Sequence, residues 1–425
     1  MGQVFDSQFR AMADGFARQG VVIEVAYGPS GRPDYLYQAG RLLARADAAA
    51  DVERVLPGAF RVERGEPLPS SATELAVLNI DSLSEGFLTV PQALDVLDRR
   101  LAWDPAPADG FPPFSPVHAM YITNGSQPDT VRACPATEPE VPCCCDPDEP
   151  CGPCPPVAPD GGACTVIGIR DTGLLADLTP APWLAGVAAL PGAVDALGAP
   201  LPGGLPVIPR YCGHGTFIAG VARCQAPDAA VVVTSDFAAI GAALEWVVVQ
   251  ALQELIARDP APQVVNLSAG SYTRHDWKPL SFLPFNHGGI TLTAAAGNDA
   301  TNRKFWPAAF DWAVAVGALG ADRRHRAWFS NYGDWVDVYT LGEGLVNAFA
   351  TGEYTYQEPP KRPSVQDFHG LARWSGTSFA APLVAGLIAA EMSGAGLAAA
   401  DAEATVLARA QAQSVPGTGP VLYPR

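Results

Sequence analysis

Residues 229–271, AAVVVTSDFAAIGAALEWVVVQALQELIARDPAPQVVNLSAGS, decide the fold. AAVVVTSD (229–236) and QVVNLSAGS (263–271) are continuous apolar runs, not alternating ones. A strand reads that way when both faces of its sheet are covered, as in a parallel sheet. The stretch between them is helical in period and stops at Arg258-Asp259-Pro260, where a proline ends the helix. Two buried strands joined by a helix imply an α/β domain with a mainly parallel sheet. Working outward, TVIGIRD (165–171), GITLTAAAGN (289–298) and WAVAVGAL (312–319) read as further buried strands. The domain is therefore expected to span residues 164–425.

Two other zones precede it. Residues 126–163 carry the run CPATEPEVPCCCDPDEPCGPCPP (134–156), which cannot pack a core and reads as a linker or a stapled loop. Residues 1–125 are expected to hold a small α+β domain. Residues 41–45 read as a strand, 47–56 as a helix, 60–63 and 75–80 as strands, 91–101 as a helix and 117–121 as a strand. That order, β-α-β-β-α-β, is ferredoxin-like.

Composition narrows the function. Of 425 residues 48% are hydrophobic and 17% charged, as in a globular chain. Gly and Pro together approach a fifth of the chain, so long loops are expected. A net charge of −17 argues against nucleic-acid binding. No run of 18 uncharged apolar residues is present, so no membrane-spanning helix is expected. The start, MGQVFDSQFRAMADGFARQG, lacks a basic head followed by an apolar core, and the expected location is cytoplasmic. The nine cysteines are then not automatically disulfides.

Four short motifs sit where a parallel sheet would present them. Asp171-Thr172-Gly173 follows a strand. His214-Gly215-Thr216 opens a helix. Ala296-Gly297-Asn298 ends a strand, and Gly376-Thr377-Ser378 opens the helix that continues through LVAGLIAAEM. In open α/β sheets functional groups gather at the carboxyl ends of strands. A serine hydroxyl becomes a nucleophile when a histidine takes its proton, and a carboxylate orients that histidine. An asparagine amide beside a helix N-terminus can stabilise an oxyanion. Asp171, His214, Ser378 and Asn298 are thus the candidate catalytic residues. The other histidines (His118, His275, His287, His325 and His369) lack metal-site spacing and are read as ordinary core or surface residues.

In this order and context, the motifs resemble those of the subtilisin-like serine proteases, the subtilases. The resemblance covers about residues 164–413. Asn266-Leu267-Ser268-Ala269-Gly270 is similar to the family's Asn-x-Ser-x-Gly substrate-pairing strand. Trp306-Pro307 with Ala313-Val314-Ala315-Val316-Gly317-Ala318, and Phe329-Ser330-Asn331-Tyr332-Gly333, resemble two further family stretches. The resemblance implies a three-layer fold and an Asp171/His214/Ser378 triad with Asn298 in the oxyanion hole. It implies a peptide or protein substrate held by Ser268, Ala269 and Gly270 and by the strand carrying Ala296 and Gly297. It implies no cofactor for catalysis and, for the N-terminal domain, a propeptide-like role.

The chain also departs from the pattern. Residues 174–211 do not match the usual calcium ligands, so structural calcium stays open. Residues 347–373 look inserted and are expected to cover part of the cleft. The small residues Ala269, Gly270, Ala296 and Gly297 suggest an open primary pocket. In the run from Cys134 to Cys154, only Cys151-Gly152-Pro153-Cys154 has zinc-type spacing. Free thiols are favoured there over disulfides, and disulfides over zinc. Cys212 and Cys224, near His214, are read as buried hydrophobes, with a redox-sensitive thiol as the sharper alternative. The leading function is endopeptidase. A silent binding or regulatory module and a dedicated precursor-processing protease are the alternatives. For the N-terminal domain, substrate docking is the alternative to restraint.

Overall fold

The computed structural model describes residues 3–61, 74–80, 88–101, 108–122, 137–142, 165–200, 203–237 and 240–424. The cysteines from Cys134 to Cys154 lie outside the described residues. The fold begins with α1 (Gln3–Ala17), β1 (Ile23–Tyr27) and β2 (Pro33–Arg45). Helix α1 and strand β1 extend the arrangement expected from the sequence. Then come α2 (Ala49–Val55), β3 (Phe60–Arg61), β4 (Leu75–Asn79), α3 (Val90–Leu101) and β5 (Phe114–Ile122). From β2 onward the order is β-α-β-β-α-β, and the strands lie side by side as β5-β2-β4-β3, all antiparallel. This is the ferredoxin-like arrangement. Helix α3 starts at a reciprocal cap: Gln92 N–H donates to Thr89 Oγ1, and Thr89 N–H donates to Gln92 Oε1. Its Ala93, Leu94 and Leu97 share one face and are fully buried against Val52, Leu56 and Leu78. The domain therefore has a core of its own.

The C-terminal domain holds β6 (Val166–Asp171), β7 (Leu174–Leu175), β8 (Val187–Ala189), β9 (Val194–Asp195), α4 (His214–Gln225), β10 (Ala230–Ser235), β11 (Ala242–Leu244) and α5 (Glu245–Ile256). It continues with β12 (Val264–Leu267), β13 (Ala269–Gly270), β14 (Thr291–Ala295), β15 (Ala313–Leu319), β16 (Val338–Leu341), β17 (Leu345–Thr355) and β18 (Val365–Trp374). Helices α6 (Thr377–Ala395) and α7 (Ala399–Ala412) close it. Seven strands form one sheet in the order β16-β15-β14-β12-β6-β10-β8, every pair parallel. Helices α4 and α6 cover one face with Phe217, Ile218, Leu383 and Leu387. Helix α5 covers the other with Val248, Val249 and Leu252. The result is a three-layer α/β domain. Helix α6 is long and apolar enough to cross a membrane by composition, but it is mostly buried at the centre of the fold.

Two sequence expectations need correction. The helix expected from Phe237 begins only at Glu245, because residues 242–244 are the strand β11. Its hydrogen-bond partner is β5, on another domain, and that pairing overrides the local helical period. The second concerns residues 137–142, inside the expected linker. Glu140 and Arg373 exchange backbone hydrogen bonds at 2.9 and 2.7 Å, so this piece is seated on β18. The carboxylate of Glu138 accepts the backbone N–H groups of Gln357 and Glu358 and the Tyr354 hydroxyl, which anchors it to the β17–β18 hairpin.

Strand β5 joins the two domains. It pairs antiparallel with β11 on one side and with β13 on the other. All nine of its residues are buried. Val117, Ala119 and Tyr121 pack against Tyr272, Leu280 and Phe305 of the C-terminal domain.

Candidate active site

Asp171 ends β6, next to the point where strand order reverses, and His214 is the first residue of α4. Gly215 lets the two elements meet: a Cβ there would lie 2.3 Å from the carbonyl oxygen of Gly173. His214 Nδ1 is 2.7 Å from Asp171 Oδ1. An ionised carboxylate only accepts, so Nδ1 carries the proton and Nε2 is left basic. His214 Nε2 is buried with no hydrogen-bond partner among the described residues. Trp374 and Phe379 pack their rings on the imidazole at 5.5 and 5.3 Å, keeping its surroundings apolar. Phe379 follows Ser378, so the first turn of α6 brings the serine to the same site.

The sequence places Pro382 four residues after Ser378. Proline has no N–H, so the Ser378 carbonyl loses its helical partner. Ser268 supplies one: its Oγ donates to Ser378 O at 2.7 Å. Asn266 Nδ2 in turn donates to Ser268 Oγ at 3.0 Å. This gives the Ser268 side chain a task beside the backbone pairing expected of its strand: fully buried, it holds the serine's helix turn.

Asn298 lies beyond the end of β14. Its Oδ1 accepts the backbone N–H and the hydroxyl of Thr377, both at 2.8 Å. That fixes the amide so that Nδ2 is buried and, among the described residues, unpartnered. Nδ2 thus stands beside the first turn of α6, where backbone N–H groups and the helix dipole favour negative charge. Thr377 was not singled out from sequence, although it sits inside the quoted Gly-Thr-Ser motif.

Ala269 and Gly270 pair with Ile122 and Tyr121 of β5. At Gly270 the missing side chain serves close packing. A Cβ on Gly270 would lie 2.4 Å from both the Phe305 ring and the Trp306 carbonyl oxygen. Gly297 donates its N–H to Thr377 Oγ1, and Ala296 O accepts from Asn331 Nδ2. Gly297 is closely packed as well, since a Cβ there would lie 2.4 Å from Asn331 Nδ2. The inserted segment is the β17–β18 hairpin, whose Phe349 packs on Trp374 at 5.5 Å and so backs the histidine.

Asp195 is a buried carboxylate that sequence did not flag, since it lies in a Pro/Gly-rich loop with no motif. It accepts from Gly213 N–H and from Thr172 Oγ1, both at 2.8 Å, while Thr172 Oγ1 accepts from Gly215 N–H. It therefore ties the Asp171 turn to the His214 turn. Burial pushes its carboxyl up from 3.8 to about 6, against the hydrogen bonds from Gly213 and Thr172. A raised carboxyl pKa means that the folded state holds the proton more tightly. Its stabilising effect is full below about pH 4 and is lost as pH rises through about 6. Against Asp195→Asn in a Ser378→Ala background, the parent should lose about 2 kcal/mol of stability between pH 4 and 7. Parallel pH profiles of unfolding for the two proteins would refute this.

The thiol of Cys212 is raised well above its ordinary value, by burial first and by Asp195 second. It is a buried hydrophobe, and the redox reading has no support. Cys224 Sγ accepts from Asn347 Nδ2 at 3.9 Å. Among the described residues no group of three His, Cys, Asp or Glu side chains is placed to hold a metal.

A sequence model described as "Subtilase family" matches residues 163–418. The chain is similar to a thermophilic serine proteinase of Bacillus sp. (strain AK1), 31% identical over 189 residues, 41% of each protein. It is also similar to halolysin of Haloferax mediterranei, 30% identical over 154 residues, 36% of this chain and 24% of halolysin. The chain thus spans well under half the length of these relatives. Among solved structures, fervidolysin from Fervidobacterium pennivorans, described as a keratinolytic enzyme related to subtilisin, superposes with a TM-score of 0.54. That superposition has 16% identity and covers 91% of this chain and 60% of fervidolysin, a likeness of fold.

Proposed function

The chain belongs to the subtilase family, and from that membership we propose that it is a serine endopeptidase. His214 Nε2 takes the proton of Ser378 Oγ as that oxygen attacks a peptide carbonyl. Asp171 stabilises the imidazolium that forms. Asn298 Nδ2 and the first turn of α6 receive the oxyanion. The histidine then protonates the leaving amine, and water releases the acyl group. The observation that carries this reading is the buried Asp171–His214 pair at 2.7 Å, with its basic nitrogen left unpartnered.

A second reading concerns the N-terminal domain, and one specific observation favours it. Strand β5 is hydrogen-bonded between β11 and β13, where an extended substrate would add as a strand. We infer that the domain restrains the peptidase by holding that cleft. A fluorophosphonate probe tests both readings. Labelling at Ser378, lost in His214→Ala, is expected of the enzyme, and no labelling of the intact chain or of any β5 variant would sink it. Tyr121 is fully buried against Phe305. Tyr121→Asp should loosen β5 and speed labelling at least about tenfold, since a buried charge without a partner is strongly unfavourable. Equal labelling rates would rule out restraint by β5 while leaving the enzyme reading in place.

A further inference from the structure

The edge of the cleft does not end with β11. Antiparallel pairing of β5 with β11 sets Tyr121 opposite Ala242, Met120 opposite Ala243 and Ala119 opposite Leu244. One residue further along each chain stand His118 and Glu245, the first residue of α5. Glu245 is fully buried, and its carboxylate continues the strand's hydrogen bonding. Oε1 accepts the backbone N–H of His118 at 2.9 Å, and Oε2 accepts from Ser281 Oγ at 2.8 Å. Oε1 also lies 3.2 Å from His118 Nδ1. On the far side of the ring, the backbone N–H of Arg274 donates to Nε2 at 3.4 Å. An acceptor thus meets one ring nitrogen and a donor meets the other. A neutral imidazole protonated on Nδ1 satisfies both, and an aliphatic side chain satisfies neither.

We propose that Glu245, with Ser281 and the Arg274 backbone, forms a specificity subsite for histidine at the far end of the substrate cleft. The residue it reads lies four positions before the one that pairs with Ala269, as His118 does before Ile122. The proposal rests on the reading that β5 lies where substrate lies. Glu245, Ser281 and Arg274 all belong to the C-terminal domain, so the subsite stays with the catalytic machinery when β5 leaves. Any peptide supplies the backbone N–H. A leucine in place of the imidazole leaves the carboxylate and the Arg274 N–H short of partners in a buried site, which is costly. An arginine satisfies the carboxylate but offers no acceptor to Arg274 N–H.

The test uses the full-length chain carrying Tyr121→Asp, in which β5 is loosened from the cleft, and quenched fluorescent peptides with the sequence PVHAMYITNGS, residues 116–126 of this chain. Three versions carry His, Arg or Leu at the His118 position, and Ser378→Ala is the blank. The expected kcat/KM for the histidine peptide is about tenfold above that for leucine, with arginine between them. Glu245→Gln should shrink the His-to-Leu ratio several-fold, and Glu245→Leu should reverse it. Because the first comparison varies only the peptide, it does not depend on how a Glu245 variant folds. Equal cleavage of the histidine and leucine peptides overturns the subsite and leaves the peptidase reading intact. So does a ratio unaltered by both Glu245 variants. Absence of Ser378-dependent cleavage of every peptide, together with no fluorophosphonate labelling of the intact chain or of the Tyr121→Asp variant, overturns the peptidase reading and the subsite with it.

Discussion

Ser378→Ala is expected to abolish peptide cleavage, with turnover falling on the order of 10⁶-fold, while folding is nearly unchanged. The scale is that of subtilisin, carried over by family membership. The small effect on folding follows from this structure. The hold of Ser268 Oγ on the first turn of α6 goes to the backbone carbonyl of residue 378 and survives the substitution. His214→Ala should lower turnover as far, and the double variant should lose no more than either single one, because nucleophile and base act as a unit. The measurement is kcat on one peptide for all four proteins, with thermal unfolding as the folding control. Losses that multiply in the double variant would show that the two residues act independently and would remove the triad.

Asn298→Ala is expected to lower turnover by about 10²–10³-fold with little change in KM, because the amide is needed when the oxyanion forms and not before. That range is also carried over from subtilisin. The structure adds a graded companion. Thr377 Oγ1 and N–H both donate to Asn298 Oδ1, so the amide is oriented from two points. Thr377→Val removes one of them and leaves the other. Turnover should fall by a smaller factor, about tenfold, again with KM little changed. An Asn298→Ala enzyme with full turnover would mean that backbone N–H groups alone complete the oxyanion hole. A Thr377→Val loss as large as that of Asn298→Ala would mean that the threonine serves the chemistry directly.

The sequence by itself determined the α/β class and picked out the four candidate residues of the site. Buried parallel strands announce themselves as unbroken apolar runs, and β6, β10, β12, β14 and β15 fall within the runs read that way. Asp171, His214, Asn298 and Ser378 sit in short motifs at strand ends and helix starts, where local pattern and chemistry coincide. The ferredoxin-like order upstream was legible for the same reason, since its helices and strands each carry their own period. What only the tertiary structure decided depends on partners distant in the chain. Residues 242–244 have a helical pattern but become a strand because β5 presents unpaired backbone groups to them. The Ser268 side chain has no visible task until Pro382 leaves the Ser378 carbonyl in need of a donor. That Gly270 must lack a side chain is visible only once Phe305 and Trp306 occupy the space beside it. Asp195 and the His118–Glu245 pair have no local signal at all, because a buried carboxylate or imidazole is defined by what surrounds it, and those surroundings come from segments up to 156 residues away. Periodicity and motif record what a residue does with its near neighbours. Burial and hydrogen-bond satisfaction are set by the folded chain as a whole.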